Sequence, residues 1–139
     1  MKMEFSKFEG LPDYLSVEIL EMYFNQVIDY YYENIESVNL IDLLEGLFHL
    51  AERQWHTYHL LNEEIKERIE SIIVEIIDPN SFEILDSVTS IIALLGLTKS
   101  FQALKKLDKR NLIFPVRELI EETIKELDGH VENPYSSLE

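Results

Sequence analysis

The chain has 139 residues, a formal net charge of −15, 46% hydrophobic residues and no cysteine. A domain of this length buries enough apolar surface to fold without disulfides or a thiolate-bound metal. The charge disfavours nucleic acid and anionic membranes as partners, because both repel an acidic protein. We therefore expect a single cytoplasmic domain over 1–139, in which 1–12 and 129–139 are the segments most free to leave the core.

Apolar residues recur at helical spacing along almost the whole chain, and no strand-like alternation persists. Asn62, Ser81 and Thr98 are placed to cap helices, Gly96 suits a left-handed residue at a helix end, and Pro115 suits a helix start. The fold class is therefore predicted as all-α, built from about six helices arranged as antiparallel hairpins. The predicted helices are 13–34, 38–58, 63–77, 82–95, 99–107 and 115–128.

Two pairs of predicted helices are similar in sequence. NLIDLLEGLFHLAE (39–52) aligns with EILDSVTSIIALLG (83–96), and ERIESIIVEI (67–76) aligns with ELIEETIKEL (118–127). Successive hairpins of this kind bury a shared face by stacking. The stretch PVRELIEETIKEL resembles the second helix of a HEAT-type repeat, and DSVTSIIALLG resembles a first helix. This resemblance implies a HEAT-like stack, and an irregular helical bundle is the alternative.

The charges are distributed unevenly along the sequence. Between Phe8 and Glu52 there are ten acids and no Lys or Arg, whereas five of the twelve bases lie between Lys99 and Arg110. A field of one sign over one part of a surface speeds encounter with a partner of opposite sign. The pattern predicts a basic protein partner for the N-terminal half, and a solvated basic face for SFQALKKLDKR.

Three consecutive tyrosines lie within the acidic half, in VIDYYYENIE. At 100° per residue, Tyr31 shares the apolar stripe of the first helix, while Tyr30 and Tyr32 lie on opposite flanks of it. Tyr31 is therefore predicted in the core. The flanking rings either cover the edge of the core or contact a partner, since Tyr gives a stiff amphipathic contact that is common at interfaces.

These features together predict a partner-binding face. The acidic run from Glu18 to Glu52 and the tyrosine cluster resemble bacterial immunity proteins, which block the active site or an essential face of a cognate toxin, often a cationic nuclease. The resemblance implies a non-catalytic inhibitor, and a HEAT-like scaffold or a homodimer formed through exposed aromatics is the alternative. The predicted partner-binding residues are Tyr23, Asp29, Tyr30, Tyr32, Glu33, Glu36, Asp42, Glu45 and Trp55.

The segment QWHTYH, Gln54 to His59, holds the only tryptophan. Trp55 either packs in the junction between hairpins or serves as an exposed anchor for a partner. If the helix continues, Glu52, His56 and His59 share a face with the spacing of a zinc site, which would make a metal-dependent enzyme. No nucleophile elbow or phosphate-binding loop is present, so we expect no enzyme activity, no metal and no cofactor.

Overall fold

The structure is a computed structural model that describes residues 3–138. Its described part consists of six α-helices and two short 3₁₀ helices, Phe5–Phe8 and Ser136–Leu138, and includes no strand. The all-α class and each of the six predicted helices are thereby confirmed. The α-helices are α1 (Val17–Glu33), α2 (Leu40–Trp55), α3 (Glu63–Ile76), α4 (Phe82–Leu95), α5 (Thr98–Lys105) and α6 (Phe114–Leu127).

Side-chain caps fix most of the helix starts. At each of four starts, a Ser or Asn oxygen accepts a hydrogen bond from the backbone N–H three residues later, over 3.1–3.2 Å. This satisfies an N–H group that the first turn leaves without a partner. α4 ends at Gly96, whose φ of 68° is left-handed and costs a glycine little. The four capping residues are Ser16, Asn39, Asn62 and Ser81.

The helices form two layers. In one layer α3 lies between α1 and α5, and in the other α4 lies between α2 and α6. The layers are joined where α1 contacts α2 and where α5 contacts α4 and α6. The aligned helices α2 and α4 are thus neighbours in one layer, but α3 and α6 lie in different layers. The reason is that α5, with Phe101 and Leu104 buried, takes the position beside α3.

The N-terminal segment packs on the domain through its 3₁₀ helix. Phe5 and Phe8 are buried, and both lie against Gly46 of α2, where an added Cβ would approach Phe5 to 3.1 Å. The buried Arg53 holds the segment that follows, since its guanidinium donates to the carbonyl oxygens of Glu9 and Leu11 over 3.1 and 2.9 Å. Phe5 and Phe8 therefore belong to the core, and Arg53 bonds the backbone that follows them.

The C-terminal segment also packs on the domain. Val131 is buried, and the indole N–H of Trp55 donates to the carbonyl oxygen of Pro134 over 2.9 Å. In return, the hydroxyl of Tyr135 donates to the carbonyl oxygen of Trp55 over 2.8 Å. These contacts fix the described part of the tail against the end of α2.

Candidate partner-binding surface

The three tyrosines of α1 have separate environments. Tyr31 is only 3% exposed and belongs to the core, as its place in the apolar stripe predicts. Its hydroxyl donates to Oε2 of Glu75 on α3 over 3.0 Å. Burial, and then the neighbouring carboxylate, raises the pKa of Tyr31 to about 12. Tyr31 is therefore a structural residue, unavailable to a partner.

Tyr23 and Tyr30 are covered by the N-terminal 3₁₀ helix. Phe8 meets Tyr23 edge to face with ring centroids 5.5 Å apart, and Phe5 meets Tyr30 in the same way at 5.5 Å. Both tyrosines are half-buried. Each ring therefore already packs on one side within the chain, and only its exposed part is left for the predicted partner contact.

Tyr32 is the exposed member of the cluster. Its side chain is 45% exposed, and Ile35, just past the end of α1, is 50% exposed. Asn34 shapes the turn between them, since its side-chain amide donates to the carbonyl oxygen of Tyr30 over 3.0 Å. The exposed Glu33 and Glu36 flank the turn, and residues 33–37 line a shallow cleft of about 340 Å³.

A second cleft lies beside the first turns of α2. It has a volume of about 360 Å³, and its lining brings Asp42 and Glu45 together with Glu4 of the N-terminal segment. All three carboxylates are exposed. Phe5 also lines this cleft and contacts Tyr30, which connects it to α1. We group the exposed acids of the two clefts with Ile35 and the adjacent Tyr32 under the name acidic corner, made of Glu4, Tyr32, Glu33, Ile35, Glu36, Asp42 and Glu45.

The acidic corner carries charges that the domain does not neutralise. Within residues 3–138, none of its five carboxylates forms an ion pair. Asp29 is different, because its carboxylate accepts from the guanidinium of Arg68 on α3 over 2.8 Å. Asp29, although its side chain is exposed, thus already has a partner for its charge within the chain. The five carboxylates of the corner, at the end of α1, in the connection, at the start of α2 and in the N-terminal segment, have no such partner among the described residues.

Trp55 lies in a junction and is not a free anchor. Its ring is half-buried, lies 5.3 Å from the ring of Tyr135, and has its N–H bonded to the tail. The more exposed ring at this end belongs to Tyr58, which stacks on Tyr135 at 5.4 Å. The aromatic cluster therefore binds the C-terminal segment, and Trp55 has the packed position that was one of its two predicted alternatives.

The candidate zinc ligands are separated by the end of α2. His56 is the C-terminal cap, and Tyr58 has a φ of 58°, so the helical spacing that would align Glu52, His56 and His59 is lost. A ring nitrogen of His56 lies 3.0 Å from the carbonyl oxygen of Asp13. Across the described residues, no three His, Cys, Asp or Glu side chains are grouped so as to hold a metal ion.

Comparison of the chain with protein-family models, curated proteins and solved structures finds no match. The resemblances to HEAT repeats and to immunity proteins accordingly stay predictions from the sequence. Of the helices in residues 3–138, none has both the length and the apolar composition needed to cross a bilayer. What the chain can bind must be inferred from the geometry of its own surface.

Proposed function

We propose that this chain is a non-catalytic binding protein whose acidic corner binds a basic protein partner in the cytoplasm. The observation that supports it is the set of five exposed carboxylates, unpaired within the described chain, in two clefts beside the α1–α2 connection that also exposes Tyr32 and Ile35. A surface built this way provides both charge and an apolar centre. The resemblance to immunity proteins suggests a cationic toxin nuclease as the partner, inhibited by steric and electrostatic block.

The charge of the acidic corner is unfavourable without a partner. Like charges held on one surface repel one another, and a partner that brings Lys or Arg converts this repulsion into attraction. Arg suits the site best, because its planar guanidinium can bond a carboxylate at two points. The charges then act mainly on the rate of encounter and on the choice of partner.

The apolar part of the corner would supply the lasting contact. Interface energy is concentrated in a few central side chains, often aromatic, that lose water on binding while charged residues form the rim. Ile35 has this arrangement, since it shares a cleft with Glu33 and Glu36, and the exposed Tyr32 directly precedes them in the chain. Tyr23 and Tyr30 contribute indirectly, by holding the N-terminal segment that positions Glu4.

The proposal is tested by affinity capture from a lysate of the source cells with three baits in parallel. These are the wild type, the variant Glu33→Lys/Glu36→Lys, and the control Glu121→Lys/Glu122→Lys, which reverses two exposed acids on α6. Both variants change the net charge by the same amount. We expect one basic protein to be retained by the wild type and the control but lost from the corner variant. Equal retention on all three baits, or no basic protein on any, would contradict the proposal.

A further inference from the structure

The connection between α5 and α6 differs in charge from the rest of the molecule. Residues 105–117 contain five bases and one acid in a chain whose net charge is −15. Two of the bases are neutralised locally, since Lys105 pairs with Asp128 at 3.3 Å and Arg110 bonds Asp108 at 2.9 Å. The other three, Lys106, Lys109 and Arg117, have no ion pair within the described residues.

Two large apolar side chains stand among these bases. Ile113 and Phe114, at the start of α6, are each 65% exposed. Ile113 is the extended residue before α6 and Phe114 is the first residue of the helix, while the buried positions of α6 begin at Val116. Arg117 begins the next turn, since its N–H donates to the carbonyl oxygen of Ile113 over 3.1 Å. We call this surface the basic tip, made of Lys106, Lys109, Ile113, Phe114 and Arg117.

We propose that the basic tip binds the acidic corner of a second copy of this chain, in a head-to-tail arrangement. The two surfaces match in kind, since each has two exposed apolar side chains flanked by unpaired charges, and the charges have opposite sign. The inference rests on the binding role proposed for the acidic corner and adds a regulation of it. A neighbouring copy would occupy the corner until a basic partner displaces it.

The large negative charge of each copy does not prevent such a contact. At physiological salt the Debye length is about 8 Å, so charges far from the interface are largely screened while those in contact are not. The surfaces are small, and interfaces below about 1,200 Å² are usually weak and transient. Because two different surfaces meet, the association can extend to chains or rings instead of closing as a symmetric dimer.

The proposal is tested by sedimentation velocity from micromolar to near-millimolar protein. The corner variant Glu33→Lys/Glu36→Lys and the tip variant Lys106→Glu/Arg117→Glu should each lose association by at least about tenfold, because like charges then face one another at the substituted positions. The variant that combines all four changes has the wild-type net charge and exchanges the signs at the substituted positions, while Glu4, Asp42, Glu45 and Lys109 keep theirs. We expect it to recover part of the association that each two-residue variant loses. The variant Glu121→Lys/Glu122→Lys should behave as the wild type.

Three results would overturn the proposal. They are a wild type that stays monomeric at the highest concentration, a tip variant that associates normally, and a combined variant that associates no better than either two-residue variant although it is folded by circular dichroism. If the wild type is monomeric but binds phosphatidylserine vesicles through Phe114, the tip is a membrane contact and the proposal is wrong. Failure here is distinct from failure of the proposed function, since the tip variant should still capture the basic partner.

Discussion

The start of α5 depends on a carboxylate from another helix. Its N-terminal cap position is Leu97, which offers no side-chain acceptor, and Thr98, the cap expected from the sequence, lies inside the helix. Glu70 of α3 replaces the cap. It is 3% exposed, and its Oε2 accepts from the backbone N–H of Ser100 over 2.8 Å and from the Ser100 hydroxyl over 3.3 Å. Glu70 thus joins α3 to α5 and places negative charge at the positive end of a helix.

Replacing this side chain should destabilise the domain strongly. A hydrogen bond to a charged group contributes about 1.5–3 kcal/mol, and Glu70→Ala also leaves a void, so we expect a loss of about 2–4 kcal/mol. Glu70→Gln keeps the shape and one acceptor oxygen and should cost about 1–2 kcal/mol. Ser100→Ala removes only the longer contact and should cost less than about 1 kcal/mol. The largest of these losses is a substantial part of a stability that is about 5–15 kcal/mol in most domains.

Urea unfolding followed by circular dichroism measures these differences as shifts of the midpoint at constant slope. The matched control is Glu67→Ala, which removes an exposed carboxylate from the same helix and should change stability by no more than about 0.5 kcal/mol. Hydrogen exchange of the α5 amides should accelerate in Glu70→Ala and not in the control. If Glu70→Ala costs no more than Glu67→Ala, then α5 does not need the carboxylate and the reasoning is refuted.

Three further predictions follow from single contacts. The pKa of Tyr31, raised to about 12 from 10.0, means that stability is complete below pH 10 and falls between pH 10 and 12. The loss of stability is at most about 2–3 kcal/mol, and solvent around the exposed Glu75 reduces it further. Tyr31→Phe should not show this loss. Urea midpoints of the wild type that stay constant between pH 10 and 12 would contradict the prediction. Gly46→Ala gains about 1 kcal/mol of helix propensity but places a Cβ within 3.1 Å of Phe5. We therefore expect a net loss of stability and faster hydrogen exchange in the N-terminal 3₁₀ helix. A variant more stable than the wild type would show that Phe5 packs loosely against α2. Tyr135→Phe removes the 2.8 Å hydrogen bond from the Tyr135 hydroxyl to the carbonyl oxygen of Trp55 and should cost about 1 kcal/mol of stability. It should also shift the fluorescence emission of the only tryptophan to longer wavelength. An unchanged spectrum would mean that other contacts hold the C-terminal segment.

The helices are predictable from the sequence because their signals are local. Asn62 and Ser81 cap α3 and α4 with their own side chains, and Gly96 ends α4 through its own backbone. The apolar stripe of α1 likewise places Tyr31 in the core, since 100° per residue is a property of the helix alone. α2 ends three residues before its predicted end because Tyr58 adopts a left-handed φ that the apolar pattern does not encode.

The environments of the candidate binding residues could be predicted only in part, because they depend on contacts between distant residues. Arg68 neutralises Asp29 from 39 residues away, and Pro134 accepts the indole N–H of Trp55 from 79 residues away. Neither pairing has a local sequence signal. Glu4 was missed for the same reason, since only the burial of Phe5 beside α2 brings it to the acidic corner. The retained residues, Tyr32, Glu33, Glu36, Asp42 and Glu45, lie on or next to a single connection.

The most direct test of the central claim is the association rate of the wild type and the basic partner, measured by stopped flow as a function of salt. If the acidic corner is the contact, Glu33→Lys/Glu36→Lys should slow association by about tenfold or more and flatten its salt dependence. Glu121→Lys/Glu122→Lys, with the same net charge, should stay close to the wild type. Equal slowing in both variants would mean that only the total charge matters, and unchanged rates in the corner variant would show that the partner binds elsewhere.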